Sequence, residues 1–289
     1  MPELPEVETI KLGLQKYLVG HRIESVDVRL PKLVHGDIRN IEGSKVISVR
    51  RFRKGLVIDL DNKNSIAIHI KLTGQLIYRG QETKKVKQSP KVGGQLPNKW
   101  THVIFKLKTQ KSKVDKESDA FLYYNDLRQF GWIRIVESRK LKDEKFFKDL
   151  GPEPFKDLTL EIFQKIASSS NIPVKLLIMD QKKIGGIGNI YANDALFDAG
   201  IDPKRKAKSL SEDEIKKLYD SILKVLKLGL KAGGASELNF VNVLGQEGEY
   251  QDHSLIYGRE GQKCKRCGGI IKKTFLGSRG TYFCENCQK

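Results

Sequence analysis

The sequence predicts an α+β fold with several domains: an N-terminal helix with a β-sandwich, a helical domain, and a small C-terminal β-hairpin. Apolar residues recur at helical spacing near the N-terminus, alternate as in β-strands over residues 22–136, and then return to helical spacing. All four cysteines lie in the last 26 residues, in two Cys-x-x-Cys pairs. We therefore expect domains at residues 1–138, 156–250 and 251–289, with a hinge at 139–155, where Gly151, Pro152 and Pro154 interrupt regular structure.

The composition favours a partner with many negative charges. The 289 residues include 53 Lys and Arg against 35 Asp and Glu, which gives a net charge of +18. Such a charge is typical of nucleic-acid binding, although general solubility could also explain it. The sequence has neither a run of 18 apolar residues nor a signal-peptide pattern, so we expect a soluble, cytoplasmic protein that does not bind membranes.

The N-terminal helix carries the first candidate site. Apolar residues at helical spacing, from Leu4 to Leu18, predict a helix, and proline is tolerated in its first turn. Once Met1 is removed, the Pro2 amine begins the chain at the positive end of the helix dipole, which favours the neutral, nucleophilic form. Glu3 and Glu6 lie within one turn of that amine. The simpler interpretation is that these carboxylates only complement the helix dipole.

The region that follows has the pattern of short strands. We expect them at residues 23–28, 46–52, 56–60, 65–78, 102–107, 121–124 and 132–136. Two long polar connections, residues 79–99 and 109–119, are expected to be mobile surface loops. Residues 50–55 form a basic turn that could place Lys54 at a phosphate, or that could simply be solvated.

Helices are predicted at residues 160–167, 174–179 and 189–199, and a capping box of Ser211 and Glu214 opens another that ends near Leu230. The glycines of residues 185–188 precede the third of these helices, where exposed backbone N–H groups could bind a phosphate. No Gly-Lys-Ser/Thr sequence follows, so this is not a nucleoside-triphosphate loop.

The cysteines have the spacing of a four-thiolate zinc site on a β-hairpin. Two residues separate the members of each pair, and 16 separate the pairs. A disulfide or redox role is possible for such a set, but paired Cys-x-x-Cys sequences in a reducing compartment favour metal. Four thiolates leave no open coordination position, so the metal is expected to be one structural Zn²⁺. The ligands are Cys264, Cys267, Cys284 and Cys287.

Three separate strings of the chain resemble bacterial formamidopyrimidine-DNA glycosylases. The first is the N-terminal Pro-Glu-Leu-Pro-Glu-Val-Glu-Thr, the second is Gly-Ile-Gly-Asn-Ile-Tyr-Ala at residues 186–192, and the third is the cysteine-bearing C-terminus. Two shorter segments, residues 69–74 and 126–131, are similar to the family's His-x-x-Met-x-Gly and Asp-Pro-Arg-Arg-Phe-Gly sequences, respectively. The first segment differs from the family's sequence at Leu72, and the second differs at Leu127 and Gln129. Basic residues frequent in the family are also replaced by Ser170 and Asn171.

The resemblance implies a monomeric, bifunctional enzyme, associated with the bacterial nucleoid, that excises oxidised purines from duplex DNA and cleaves the abasic site. Its helical domain would contain a helix-two-turn-helix. A first group of residues would act on the sugar: Pro2 as nucleophile, Glu3 as proton donor, Glu6 ordering amine and water, Lys54 and Arg279 assisting elimination. A second group would contact DNA: His69, Leu72, Arg128, Phe130, Lys175 and Asn189.

The sequence leaves three competing functions open. An endonuclease VIII-like enzyme would act on oxidised pyrimidines, but its fourth residue is typically Gly rather than Leu4. A non-catalytic zinc-ribbon DNA-binding protein would need the basic surfaces and cysteines, but neither Pro2 nor Glu3. A zinc-ribbon RNA-binding or translation factor would bind RNA and undamaged duplex equally.

Overall fold

The computed structural model describes residues 1–109 and 119–289. They form two compact units, one of Met1–Lys148 with Ala232–Gln251 and one of Asp149–Lys231 with Asp252–Lys289. Among the described residues, no helix has the length and apolarity needed to span a membrane.

The first unit is a helix packed with two β-sheets, as predicted. Helix α1 (Leu4–Tyr17) buries Leu4, Val7, Ile10 and Leu14 completely. The five-stranded sheet has the order β2-β9-β5-β4-β3, and the four-stranded sheet has the order β1-β7-β8-β6. The strands are β1 (His21–Val28), β2 (Val34–His35), β3 (Val46–Phe52), β4 (Gly55–Leu60), β5 (Asn64–His69), β6 (Gly74–Arg79), β7 (Thr101–Thr109), β8 (Asp119–Asp126) and β9 (Trp132–Glu137).

Both sheets and the helix contribute to one apolar core, which makes this unit a β-sandwich. Leu14 of α1, Ile58 of the larger sheet and Phe105 of the smaller sheet all belong to it. Burial of this many aliphatic side chains supplies the main stabilisation of the unit.

Several details of the unit differ from the prediction, among them the short strand β2, which was not expected. Residues 65–78 form two strands rather than one, because the turn at residues 71–73 reverses the chain between β5 and β6. The connection at residues 79–99 contains short 3-10 turns at Gln81–Thr83 and Pro90–Val92. The other predicted loop, residues 109–119, lies mostly outside the described residues.

Residues 232–251 group with the β-sandwich, whereas the sequence led us to place residues 232–250 in the helical domain of residues 156–250. Phe240 and Val243 belong to the sandwich core, and the Tyr78 amide donates to the Val243 carbonyl at 2.8 Å. These are contacts between residues far apart in the chain, which sequence periodicity does not report.

The second unit contains the predicted helices and the hairpin. Helix α6 begins at the predicted capping box, where the Ser211 amide donates to Glu214 Oε2 at 2.8 Å. The hairpin strands pair antiparallel on either side of Gly277 and Ser278. After α2 (Lys145–Lys148), which precedes this unit, the elements are α3 (Leu160–Ser168), α4 (Val174–Met179), α5 (Asn189–Ala199), α6 (Glu212–Lys231), α7 (Tyr250–His253, spanning the unit boundary), β10 (Lys272–Leu276) and β11 (Arg279–Phe283).

Candidate active site and nucleic-acid interface

The N-terminus of α1 is held by a buried carboxylate. Glu6 is 1% exposed; its Oε2 accepts from the Glu3 amide and its Oε1 from the Ala235 amide, both at 2.7 Å. A Cβ on Gly234, where φ is +91°, would lie 2.9 Å from Glu6 Cγ. The close approach of the Gly234 backbone to the Glu6 side chain therefore requires glycine. Glu6 therefore holds the first turn of the helix against the segment 232–251 through backbone amides.

The two residues expected to act on the sugar are adjacent to this anchor. With Met1 present, Pro2 is buried and Glu3 is 2% exposed, whereas Met1 itself is 42% exposed. Removal of the exposed Met1 would convert the Pro2 amide into a secondary amine beside a shielded carboxyl group. Shielding from water strengthens electrostatic interactions between such groups.

Lys54 lies in the turn between β3 and β4 and is only 4% exposed. Arg53, just before it, has the left-handed φ of 55°, and its carbonyl accepts from Arg51 Nη1 at 2.9 Å. Arg51 also pairs with Glu8 of α1, with Nε and Oε2 2.6 Å apart. These contacts tie the turn that carries Lys54 to helix α1, which begins two residues after Pro2.

Glu8 loses its proton more readily in this pair than an ordinary carboxyl group does. Its burial raises the pKa, but hydrogen bonds from Arg51 and Lys11 outweigh that effect, and the pKa of Glu8 is below its usual value. The tie between helix and turn is thus an ion pair at neutral pH.

His69, at the end of β5, is a neutral imidazole. It packs against the rings of Trp132 and Phe146, and its Nδ1 accepts from the Lys71 amide at 2.9 Å. Burial, followed by the positive charges of Lys71 and Lys54, lowers the pKa of His69 to about 3. With Nδ1 accepting, the ring proton is on Nε2.

Leu72, Arg128 and Phe130, which are expected to contact DNA, lie on two neighbouring turns of the same unit. Leu72 is partly exposed in the turn between β5 and β6. Arg128 and Phe130 are in the connection between β8 and β9; Phe130 is 54% exposed, and the Arg128 guanidinium lies 4.9 Å from its ring centroid. An exposed aromatic ring under a guanidinium is a surface suited to stacking on nucleic-acid bases.

In the second unit, the Gln181 side chain helps to hold the glycine loop before α5. The Gln181 amide group accepts from the Gly186 amide at 3.0 Å and donates to the Ile187 carbonyl at 2.7 Å. Asn189 follows in the first turn of α5, and its Oδ1 lies 3.3 Å from Asn193 Nδ2. This arrangement presents Asn189 at the positive end of the helix, where phosphates bind.

Lys175 is not placed as expected for a residue that contacts DNA directly. It is completely buried, and its Nζ donates to the Gly280 carbonyl and to Thr281 Oγ1, each at 2.7 Å. The ammonium group is therefore used to hold strand β11, whose first residue is Arg279. The expected DNA contact of Lys175 is corrected to a supporting role, because a buried ammonium needs protein acceptors.

The four cysteines form a metal site. Their sulfur atoms all lie within 4.8 Å of one another. The Cys264–Cys287 and Cys267–Cys284 sulfur atoms are 3.8 and 3.5 Å apart. A disulfide requires about 2.05 Å, whereas a tetrahedron with Zn–S bonds of about 2.3 Å has edges of about 3.8 Å. The donor set and its geometry fit one structural zinc ion.

Helix α5 also supports the zinc hairpin, a role that sequence reasoning missed. Asn193 Oδ1 accepts from the Tyr282 amide at 2.8 Å. The buried Asp194 accepts from the amides of residues 255–257 at 2.9–3.0 Å. Both residues directly follow the Gly-Ile-Gly-Asn-Ile-Tyr-Ala string, but two polar residues in a helix carry no sequence signal for such distant partners.

The fold and these sites define a protein with a helix and β-sandwich unit and a helical unit that carries a four-cysteine zinc finger. Three family models match the chain: the formamidopyrimidine-DNA glycosylase N-terminal domain over residues 1–133, the formamidopyrimidine-DNA glycosylase H2TH domain over 150–240, and the zinc finger found in FPG and IleRS over 261–289. The chain belongs to the formamidopyrimidine-DNA glycosylase family.

Relatives match over the whole length. A formamidopyrimidine-DNA glycosylase from Carboxydothermus hydrogenoformans is 37% identical, with 100% of both chains covered. The crystal structure of Lactococcus lactis Fpg with DNA containing Fapy-dG is 29% identical, covers 99% of this chain and 100% of that one, and has a TM-score of 0.84. A complex of Lactococcus lactis Fpg with DNA containing an abasic site has the same identity and TM-score, with 99% of each chain covered.

Proposed function

We propose that this protein is a base-excision repair enzyme that removes oxidised purines, such as 8-oxoguanine and formamidopyrimidines, from duplex DNA and then cleaves the abasic site. The observation that carries this is the Pro2–Glu3 terminus, anchored by Glu6, in a chain that matches the family from end to end. Lactococcus lactis Fpg has been crystallised both with DNA containing Fapy-dG and with DNA containing an abasic site, which correspond to the substrates of the two proposed steps.

The proposed reaction begins with the free Pro2 amine. After extrusion of the damaged nucleotide, its lone pair attacks C1′ of the deoxyribose; the C1′–N bond to the base breaks, and the departing base takes up a proton. The sugar ring then opens to an iminium, with Glu3 supplying the proton at the ring oxygen. The glycosylase step therefore needs no free water.

Two eliminations follow in the proposal. Loss of a C2′ proton expels the 3′ phosphate, and a second proton loss expels the 5′ phosphate, which leaves a one-nucleotide gap. Lys54 and Arg279 stabilise the departing phosphates by charge, and Asn189 holds the backbone beside the lesion. Leu72, Arg128 and Phe130 enter the space vacated by the extruded nucleotide, with Arg128 facing the orphaned cytosine. His69, being neutral, supports the Leu72 turn.

Borohydride trapping tests this proposal. A removable N-terminal tag leaves Pro2 as an amide, and its cleavage directly before Pro2 frees the amine, so the two forms of one preparation are matched. We expect a covalent complex with 8-oxoguanine duplex only after cleavage, while both forms bind duplex with an uncleavable abasic-site analogue. Absence of trapping by the cleaved form would refute the enzyme and favour the non-catalytic zinc-ribbon protein.

Substrate comparison separates the endonuclease VIII-like enzyme and the RNA-binding factor from the proposed enzyme. The proposed enzyme excises 8-oxoguanine faster than thymine glycol, whereas the reverse order would indicate the endonuclease VIII-like activity. Equal affinity for RNA and undamaged duplex in competition would indicate an RNA-binding factor. We also infer that the +18 charge keeps the enzyme associated with the bacterial nucleoid, which microscopy of a fluorescent fusion tests.

A further inference from the structure

Leu72, Arg128 and Phe130, which are proposed to enter the space left by the extruded nucleotide, are called the wedge residues here. They lie on two turns that emerge side by side from the β-sandwich. The Leu72 turn is residues 71–73, between β5 and β6, and the Arg128 loop is residues 127–130, between β8 and β9. Strands β6 and β8 are paired, and Gly74 is opposite Asp126. The sheet register therefore places the end of the Leu72 turn beside the start of the Arg128 loop.

One buried carboxylate and one hydroxyl join them. Asp126 is 0% exposed, and its Oδ1 accepts from Thr73 Oγ1 at 2.6 Å. Thr73 Oγ1 in turn accepts from the Arg128 amide at 2.9 Å, and the same amide makes a longer contact of 3.3 Å with Asp126 Oδ1. Asp126 Oδ2 accepts from the Gly131 amide at 2.8 Å. The Thr73 hydroxyl is thus both a donor to Asp126 and an acceptor from the Arg128 loop.

The backbone of both turns needs such support. Lys71 and Gln129 have left-handed φ values of 48° and 56° although neither is glycine. A Cβ on Gly74 would lie 2.5 Å from the Ile70 carbonyl oxygen, and one on Gly131 would lie 1.9 Å from the Tyr124 hydroxyl. Turns this tight adopt one conformation only where the surrounding contacts hold them.

We propose that Thr73 and Asp126 are positioning residues that lock the two turns into a single wedge. The inference rests on the proposed function. Because the Arg128 amide is bonded to Thr73, the position of Arg128 opposite the orphaned base depends on a hydroxyl in the Leu72 turn. Discrimination of the opposite base therefore depends on Thr73, although its own side chain is buried.

The test compares Thr73→Val, which keeps the shape but loses both hydrogen bonds, with Thr73→Ser, which keeps the hydroxyl. Single-turnover excision is measured with 8-oxoguanine opposite cytosine and opposite adenine. Of the two bonds, the one from the Arg128 amide positions Arg128, and loss of one such hydrogen bond corresponds to a change of about tenfold in the ratio of the two excision rates. We expect Thr73→Val to reduce the preference for cytosine by about tenfold and Thr73→Ser to restore it to within about twofold.

A second readout follows wedge insertion without catalysis. 2-Aminopurine placed beside an uncleavable tetrahydrofuran site brightens when the neighbouring pair is unstacked. We expect a smaller increase with Thr73→Val than with Thr73→Ser. Thermal unfolding of both variants checks the fold, and Thr73→Ala replaces Thr73→Val if the latter does not fold.

The outcomes are separable. If the wild-type protein excises 8-oxoguanine and Thr73→Val keeps both the opposite-base ratio and the fluorescence increase, the positioning role is refuted and the proposed function stands. An equal loss of excision opposite both bases, with unchanged ratio, would also refute it, because that is a purely structural effect. If the wild-type protein excises nothing, the proposed function fails and the inference fails with it.

Discussion

The contact of Glu6 with two backbone amides makes Glu6→Gln a sensitive perturbation of the candidate active site. Glutamine has the same shape, but one of its two positions is an NH₂ group instead of an accepting oxygen. Either the Glu3 or the Ala235 amide would then face a donor, at a position where Glu6 is only 1% exposed to water. The variant should alter the anchor of the N-terminus while leaving the packing volume unchanged.

The expected loss of stability in Glu6→Gln follows from those two hydrogen bonds. Losing one charge-assisted hydrogen bond and leaving a buried N–H unpaired costs about 2–4 kcal/mol. For a chain of this size, each kcal/mol lowers the melting temperature by roughly 2–4 °C, so we expect a decrease of roughly 5–15 °C. Glu249→Gln is the matched control, since that side chain is exposed in the same 232–251 segment, and its change should stay within about 0.5 kcal/mol.

Hydrogen exchange gives the decisive assay because it reports the amides directly. Exchange of the peptides containing Glu3 and Ala235 should become at least about tenfold faster in Glu6→Gln, while exchange in the second unit stays unchanged. Borohydride trapping should fall in parallel, since the amine is held by the same turn. Wild-type exchange at Ala235 together with a wild-type melting temperature would refute the anchoring role.

Three further predictions concern charge, metal and pH. Arg279→Ala should lower the slope of log K for DNA binding against log salt concentration by about 1. Lys175→Met should leave that slope unchanged and lower the stability of the fold. Equal slope losses in the two variants would indicate that Lys175 contacts a phosphate directly. Chelation of zinc should unfold the hairpin, seen as lost hairpin protection with stoichiometric zinc release, and damaged-DNA binding should be lost. Because the pKa of Glu8 is lowered in the folded state, its ion pair stabilises the fold above about pH 4.5, and this stabilisation is lost as the pH falls through the folded pKa. Glu8→Gln should therefore make the free energy of unfolding depend less on pH in that window. An unchanged dependence would contradict this.

The helices were the part of the fold that sequence predicted most closely. Residues 174–179 and 189–199 are helical over the predicted ranges, and the Ser211 capping box precedes α6. Helical boundaries depend on local hydrogen bonds and capping residues, which sequence contains. Where the chain reverses between two strands, as at Leu72, alternation alone did not separate them.

The metal site was also predictable, since four thiols at this spacing converge whenever the intervening hairpin forms. The role of Lys175 was not, because a lysine that bonds a carbonyl 105 residues away looks in the sequence like any basic residue near a helix start. Thr73 and Asp126 lie within the two shorter family-like segments, but their partnership depends on the register between β6 and β8.

By itself, the sequence determined the helices, the cysteine site, the basic charge and the family, since each depends on residue type and short-range spacing. Only the tertiary structure decided which carboxylate holds the N-terminus, that residues 232–251 join the β-sandwich, and that one hydroxyl links the two turns. The physical reason is that a buried polar group must find a partner, and which partner lies within about 3 Å is decided by how distant strands pair and pack.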